Sequence, residues 1–209
     1  MSASPPDTRV RGSRPTSRDA IEAVLPFLDG HAVACANGYI SRWVCALGDR
    51  ESHFYMIGSM GLASSIALGI AVAAPGVPVG VVDGDGNVLM NPGALAMTAA
   101  LRPRRFRHVC IDNGVYASTG NQPTISSRVR LEDVARAAGY ADAVRVSDLE
   151  RLRAALERQS RIEGPTFVLV ETEPEEGAPA PRIPHTPEEM TARMRRAVAV
   201  LAARVGATP

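Results

Sequence analysis

The chain has 209 residues, 45% of them hydrophobic, and a formal net charge of +1. That is enough apolar material for one domain with a full core, and so balanced a charge points to neither a nucleic-acid partner nor an anionic membrane surface. Its basic side chains are all Arg apart from four His, so enzyme classes built on a Schiff-base lysine or a phosphate-loop lysine are excluded.

In chain order, residues 1–15 are polar, with Pro and Arg and no apolar run, and predict a disordered arm rather than a secretory signal. Residues 16–209 predict a single domain. Ser17 to Leu28 reads as a helix capped by Thr16 or Ser17. A short strand follows at Ala32–Ala36, then a helix at Ile40–Leu47 and an apolar, aromatic run at His53–Ile57 that stops at a glycine turn. Leu62–Ala74 is a helix of Ala, Gly and Ser, small enough all round to pack closely on several sides. No charged residue occurs from Phe54 to Val82, but Gly and Pro break that stretch. A spanning helix needs ~20 apolar residues in one piece, so no membrane segment is expected.

Val77–Val82 is a β-branched strand running into Asp83-Gly84-Asp85-Gly86. Leu89–Leu101 is helical, with Pro92 near its start able to bend or shorten the first turn. Arg107–Ile111 is a strand running into Asp112-Asn113-Gly114, followed by a polar loop from Val115 to Arg130. Then come a helix (Leu131–Ala138), a strand (Ala143–Val146), a helix (Asp148–Ser160) and a strongly apolar strand (Thr166–Val170). A Pro- and Glu-rich connection (Glu171–Pro187) leads to a last helix (Pro187–Val205), basic on one face. Continuously apolar strands alternating with helices predict an α/β fold: a three-layer, Rossmann-like parallel sheet with helices on both faces. Cys35, Cys45 and Cys110 form no CxxC pair and no metal-ligand spacing, which fits reduced thiols and a cytoplasmic protein.

In such sheets ligands sit beyond the carboxyl ends of the strands. Two of those ends carry chemistry, Gly84-Asp85-Gly86 and Asp112-Asn113-Gly114, with Asn113 lying 28 residues (113 − 85) after Asp85. The glycines let the backbone turn sharply and approach a phosphate. Asp85 offers a hard anionic oxygen, Asn113 an amide oxygen and Val115 a backbone carbonyl. Together with two diphosphate oxygens and a water, these three make an octahedral Mg²⁺ site. Alone, a GDG tripeptide is equally a β-turn. The dinucleotide fingerprint is not met, because Gly84-Asp85-Gly86-Asn87-Val88-Leu89 lacks the third glycine.

The GDG…N arrangement resembles the thiamine diphosphate signature, and the resemblance extends along the chain. Asn37-Gly38-Tyr39-Ile40-Ser41-Arg42, Phe54 to Gly61, Leu89-Met90-Asn91, Asp112 to Tyr116 and Ser118 to Thr124 look like the C-terminal, diphosphate-binding half of phosphonopyruvate and sulfopyruvate decarboxylases. The beta subunit of two-chain sulfopyruvate decarboxylases is similar. The resemblance implies thiamine diphosphate and Mg²⁺ as cofactors, with Asp85, Asn113 and Val115 on the metal. Gly84, Gly86 and Asn87 would lie at the diphosphate, with Asn37 and Ser41 as polar contacts near it. In the Gly58-Ser59-Met60 run, Gly58 would offer its carbonyl to the pyrimidine amino group. Met60 would be the apolar wedge that bends the cofactor, or else an ordinary core methionine. The family usually has Thr where this chain has Asn37. Thr119 and Tyr116 are the candidates for side chains near the reacting carbon. Arg42 reads equally as a partner for a sulfonate or phosphonate and as a surface arginine.

Cofactor activation in this family also needs a glutamate beside the pyrimidine. Glu22, Glu132, Glu150, Glu157 and Glu171–Glu176 do not lie in the small-apolar context expected of it, and the chain is too short for a second domain. The resemblance therefore implies a partner, an alpha-type pyrimidine-domain subunit that supplies the Glu. A hetero-oligomer is expected, such as a heterotetramer or larger, with the charge-poor Met60–Ala74 in the interface. The expected activity is decarboxylation of a small 2-oxoacid, 3-phosphonopyruvate or 3-sulfopyruvate, to an aldehyde and CO₂. Two alternatives remain at this point. One is another two-chain thiamine diphosphate enzyme, a 2-oxoacid oxidoreductase or one like acetolactate synthase. The other is a non-catalytic cofactor-binding module.

Overall fold

A computed structural model describes residues 14–174 and 180–206. Most of the expected N-terminal arm and part of the Pro/Glu-rich connection lie outside the described residues. In chain order the elements are α1 (Ser17–Val24), β1 (Ala32–Cys35), α2 (Tyr39–Gly48), β2 (His53–Tyr55), α3 (Ala63–Ala73), β3 (Val79–Gly84), α4 (Asp85–Met90), α5 (Gly93–Leu101) and β4 (Arg105–Asp112). A two-stranded hairpin, β5 (Val115–Tyr116) and β6 (Gln122–Pro123), follows. Then come α6 (Leu131–Ala138), β7 (Asp142–Val146), α7 (Leu149–Ser160), β8 (Gly164–Glu171) and α8 (Pro187–Arg204).

Six strands form one parallel sheet in the order β2-β1-β3-β4-β8-β7. The central strands are buried along nearly their whole length, as a parallel sheet covered on both faces requires. Successive side chains alternate between the two faces. Val33, Cys35, Val82, Val109, Ile111, Val168 and Val170 meet Ile21 and Val24 of α1 and Leu152 and Leu156 of α7. On the other face, Ala34, Ala36, Val81 and Phe106 meet Ala63, Ala67 and Leu68 of α3. Cys110, Phe167 and Leu169 meet Leu95 of α5 and Leu131 of α6 on that side.

Helix starts follow the local chemistry. Thr16 caps α1, accepting from the Asp19 N–H, and Thr186 with Glu189 forms a reciprocal capping box at α8; each such cap is worth about 1 kcal/mol. The first helix is α-helical only to Val24. At Pro26 it tightens into a 3-10 turn through Leu28, because proline lacks the N–H that an α-turn needs. The single helix expected over Leu89–Leu101 is two helices. It begins at Asp85, directly after β3, and breaks at Asn91-Pro92. The expectation that α3 packs on several sides also needs correction within this chain. Its inner side is buried, while Leu62, Gly69 and Val72 stay exposed. The basic face of α8 reaches back across the molecule, Arg193 to Asp49 and Arg196 to Glu51.

Candidate functional site

The chain passes from β1 outward to β2 and then crosses back to β3 on the other side of β1. This reversal opens a crevice beyond the carboxyl ends of β1 and β3, where open α/β sheets take ligands. A cavity of about 160 Å³ lies there. Its walls come from the β1–α2 turn (Asn37, Gly38, Tyr39), the β3–α4 junction (Gly84 to Asn87), the end of β4 (Asn113), the hairpin (Val115, Tyr116, Thr119), Met60 and Trp43. Among the described residues, Asp85 is the only charged one lining it.

Gly84-Asp85-Gly86 is not a β-turn. Gly84 ends the strand in extended backbone and Asp85 is already helical, so the motif is a direct strand-to-helix junction. A Cβ on Gly86 would lie 2.5 Å from Tyr116 Cε1 and 3.3 Å from Met60 Cε. Only glycine fits beneath those two side chains. Neither α2 nor α4 has a side-chain cap, and α2 begins at Gly38, whose φ is +83°. The Ser41 N–H bonds to the Ala36 carbonyl and the Gly86 N–H to the Asp85 carboxylate; a helix start without a side-chain cap is where an anion can bind.

Asp85 is 2% exposed and has no cationic partner among the described residues. Its Oδ2 accepts from Thr124 Oγ1 at 2.5 Å. Burial pushes its carboxyl up to about 6; the Thr124 hydrogen bond pulls the other way, and the Asp112 charge adds to the rise. A buried carboxylate in this state is poised to take a cation. Asn113 Oδ1 accepts from the Val115 N–H at 3.1 Å, which fixes the amide at the mouth of the turn. Asn37 Oδ1 is buried in the cavity wall with no partner among the described residues. The residues present thus fit a diphosphate with its divalent metal: helix starts without side-chain caps, an uncompensated carboxylate, and the Asn37 amide, whose oxygen is unpartnered among the described residues and whose Nδ2 is the end that can donate to a phosphate.

The cavity brings together Asn37, Met60, Gly84, Asp85, Gly86, Asn87, Asn113, Val115, Tyr116 and Thr119. Three expected residues do not line it. Ser41 is buried, and its hydroxyl bonds to the Cys35 and Ala36 carbonyls at 3.0 and 2.7 Å, so it fixes the β1–α2 turn from behind. Gly58 and Ser59 are exposed. Asn87 lines the wall, but its side-chain amide is bonded within the protein. Its Nδ2 donates to Asp83 Oδ1 and its Oδ1 accepts from the Gly61 N–H at 2.5 Å. Asn91 Nδ2 donates to the Gly61 carbonyl at 3.0 Å, so two asparagines one turn apart hold the Gly61 peptide and set the position of Met60. Thr119 is exposed, its hydroxyl bonded to the Tyr116 carbonyl and to Gln122 Oε1 within the hairpin. Arg42 lies over the Tyr39 ring at 5.5 Å and Arg18 over Trp43 at 5.6 Å.

Sequence reasoning passed over a buried layer beneath the cavity. Asp83 Oδ2 faces His108 Nε2 at 3.1 Å, and His108 Nδ1 faces the Tyr140 hydroxyl at 3.5 Å. Asp83 Oδ1 also accepts from the Gly84 N–H at 2.9 Å. The signal was available: an Asp within an otherwise apolar central strand needs buried partners.

A family model described as the thiamine pyrophosphate enzyme, C-terminal TPP binding domain, matches residues 33–170. The chain belongs to this family. It is 42% identical over 186 residues to a phosphonopyruvate decarboxylase of Streptomyces viridochromogenes, covering 88% of this chain and 46% of that protein. It is 35% identical over 183 residues to the sulfopyruvate decarboxylase subunit beta of Methanococcus maripaludis, covering 88% of this chain and 97% of that subunit. The chain thus spans about half the length of the curated phosphonopyruvate decarboxylases it matches. Among solved structures, benzoylformate decarboxylase from Polynucleobacter necessarius superposes with a TM-score of 0.65 at 17% identity, covering 83% of this chain and 36% of that one. A likeness at that identity supports the fold alone. No helix among the described residues is long and apolar enough to cross a membrane.

Proposed function

We propose that this chain is the diphosphate- and magnesium-binding subunit of a two-chain, thiamine-diphosphate-dependent decarboxylase acting on 3-phosphonopyruvate or 3-sulfopyruvate. The observation that carries this reading is the near-complete coverage of a sulfopyruvate decarboxylase beta subunit, joined to a cavity whose lining, among the described residues, holds one Asp and no Glu. A partner subunit would bring the activating glutamate. Glu132, the most buried of the described glutamates, is held by Arg130 and Arg145 and does not line the cavity. The exposed apolar side chains Ile57, Leu62, Val72, Met90 and Met97 on and around α3 to α5 suit such an interface.

In this reading Asp85, Asn113 and the Val115 carbonyl hold Mg²⁺, and N–H groups at the starts of α2 and α4, with Asn37, hold the diphosphate. Ser41 and the Asn87 side chain fix the turns that carry those groups. Gly58 offers its carbonyl to the pyrimidine, Met60 is the wedge, and Tyr116 closes over Gly86 to exclude water. Bound thiamine diphosphate supplies the electron sink that takes the electron pair released as CO₂ leaves. Tyr116 and Thr119 form the wall nearest the reacting carbon, and the site works in the cytoplasm.

Co-expression with the partner, followed by aldehyde and CO₂ detection with 3-sulfopyruvate, 3-phosphonopyruvate and pyruvate, tests this. Turnover of either anionic acid by the complex alone is expected. Full turnover by this chain without a partner overturns the two-chain reading, and turnover of pyruvate only overturns the substrate class.

A further inference from the structure

A second group of metal-ligating side chains lies outside the cavity. We propose that Cys45, Asp49 and His185 form a site for a borderline divalent transition metal, Zn²⁺ foremost. One ligand atom from each lies within 4.8 Å of the others. Around tetrahedral zinc such atoms stand roughly 3.3–3.8 Å apart, so closure takes a side-chain movement on the order of 1 Å. A thiolate, an imidazole and a carboxylate together suit zinc, whereas Mg²⁺ and Ca²⁺ take oxygen alone. A water would complete the tetrahedron. This site does not depend on the proposed reaction.

The surrounding structure orients each ligand. Cys45 and Asp49 are four residues apart, on the last turn and C-cap of α2, and so share one face. His185 directly precedes Thr186, whose capping box fixes the backbone at the start of α8. The Tyr55 ring stacks on His185, with centroids 6.3 Å apart and planes 14° apart. The Tyr55 hydroxyl donates to Asp49 Oδ1 at 2.9 Å, and Arg193 donates to the same oxygen at 2.6 Å. Oδ1 is thereby turned to the protein, and Oδ2 is left facing His185 Nε2 at 2.8 Å. Partners that hold the far oxygen of a ligating carboxylate are what a metal site needs around it.

The metal would take the place of the proton between Asp49 and His185. Cys45 would release its thiol proton to solvent, and the imidazole would carry its remaining proton on Nδ1. The two ligand anions balance the dication, and Arg193 stays as a hydrogen-bond donor. Asp49 and His185 are 136 residues apart in sequence, so no local spacing reveals the set. The site would pin the start of α8 to α2, whose opposite end, about 15 Å away, forms the cavity wall.

The test uses the full-length chain without a histidine tag, loaded with Co²⁺ and, separately, with Zn²⁺. The expected result is a near-ultraviolet thiolate-to-cobalt absorption with visible bands of tetrahedral intensity, and one zinc per chain retained on dialysis. Both should persist in Asp85→Asn, which separates this site from the cavity, and both should be lost in Cys45→Ser and in His185→Gln. Absence of the thiolate band in the wild type overturns the proposal. So does its survival in either variant with wild-type circular dichroism.

Discussion

Two groups of carboxylates lie at the same carboxyl edge of the sheet, and the fold treats them oppositely. Beyond β4 and β8, Asp112, Glu132 and Glu171 surround Arg145, at 3.4, 3.0 and 2.9 Å. Beyond β3, Asp85 is as deeply buried as Asp112 but has no cation. A line of hydroxyls joins them: Asp85 to Thr124, Thr124 to Ser126 at 3.1 Å, and Ser126 to Asp112 at 2.8 Å. One cluster, with Arg130 on Glu132 and Arg14 on Glu171 besides Arg145, is paired with arginine throughout and holds β7 to β4 and β8. The other leaves its charge open, which is costly unless a ligand completes it. The contrast sets Asp85 apart from the paired acids more sharply than burial alone.

Substitution at the open carboxylate should have the largest effect. Asp85→Asn in the assembled enzyme is expected to cut Mg²⁺-dependent turnover on the order of 10³-fold, the scale of several kcal/mol from a lost metal. Without metal the sign reverses. A carboxyl at about 6 instead of 3.8 binds its proton more tightly in the folded state. The metal-free wild type should therefore gain stability as pH falls through 6 towards 4, and lose it as pH rises through 6. Asp85→Asn should remove that dependence and stabilise the metal-free chain at pH 7 by on the order of 2–3 kcal/mol. Melting curves of both proteins in a chelator across pH 4–8 check this; parallel curves would refute the reading of Asp85.

The closed cluster should respond in stability instead. Arg145→Met leaves buried Asp112 without its cation, and Glu132 and Glu171 with only Arg130 and Arg14, and should cost about 3–5 kcal/mol, read as a lower urea midpoint. Thr124→Val cuts the line between the clusters. Mg²⁺ affinity should fall about 10–100-fold by titration. Because the hydroxyl lowers the Asp85 pKa, the loss should deepen as pH falls; a pH-independent loss would mean that Thr124 acts only through packing. Thr16→Ala, which removes only the α1 cap, should cost only about 1 kcal/mol and leave Mg²⁺ affinity unchanged.

The sheet was legible because its strands are apolar on both faces, and Asp85 and Asn113 were legible because strand ends one crossover apart meet on one edge. The roles of Ser41 and Asn87 were not. Their residue types suit a phosphate, but which lone pair or N–H each one uses is decided by carbonyls and peptides elsewhere: those of Cys35 and Ala36, and of Gly61. Thr124 lay within a recognisable run, yet its bond to Asp85 spans 39 residues and depends on how the hairpin folds back. Pro92 was read as a bend. It divides the helix outright, because Asp85 to Met90 was already helical before it.

Trp43 is the only tryptophan in the chain, and it stands in the cavity wall under the Arg18 guanidinium. Its emission comes from one known place, with no second indole to subtract. Entry of a charged or aromatic ligand should change its intensity, so the cavity carries a built-in optical reporter that needs neither label nor turnover.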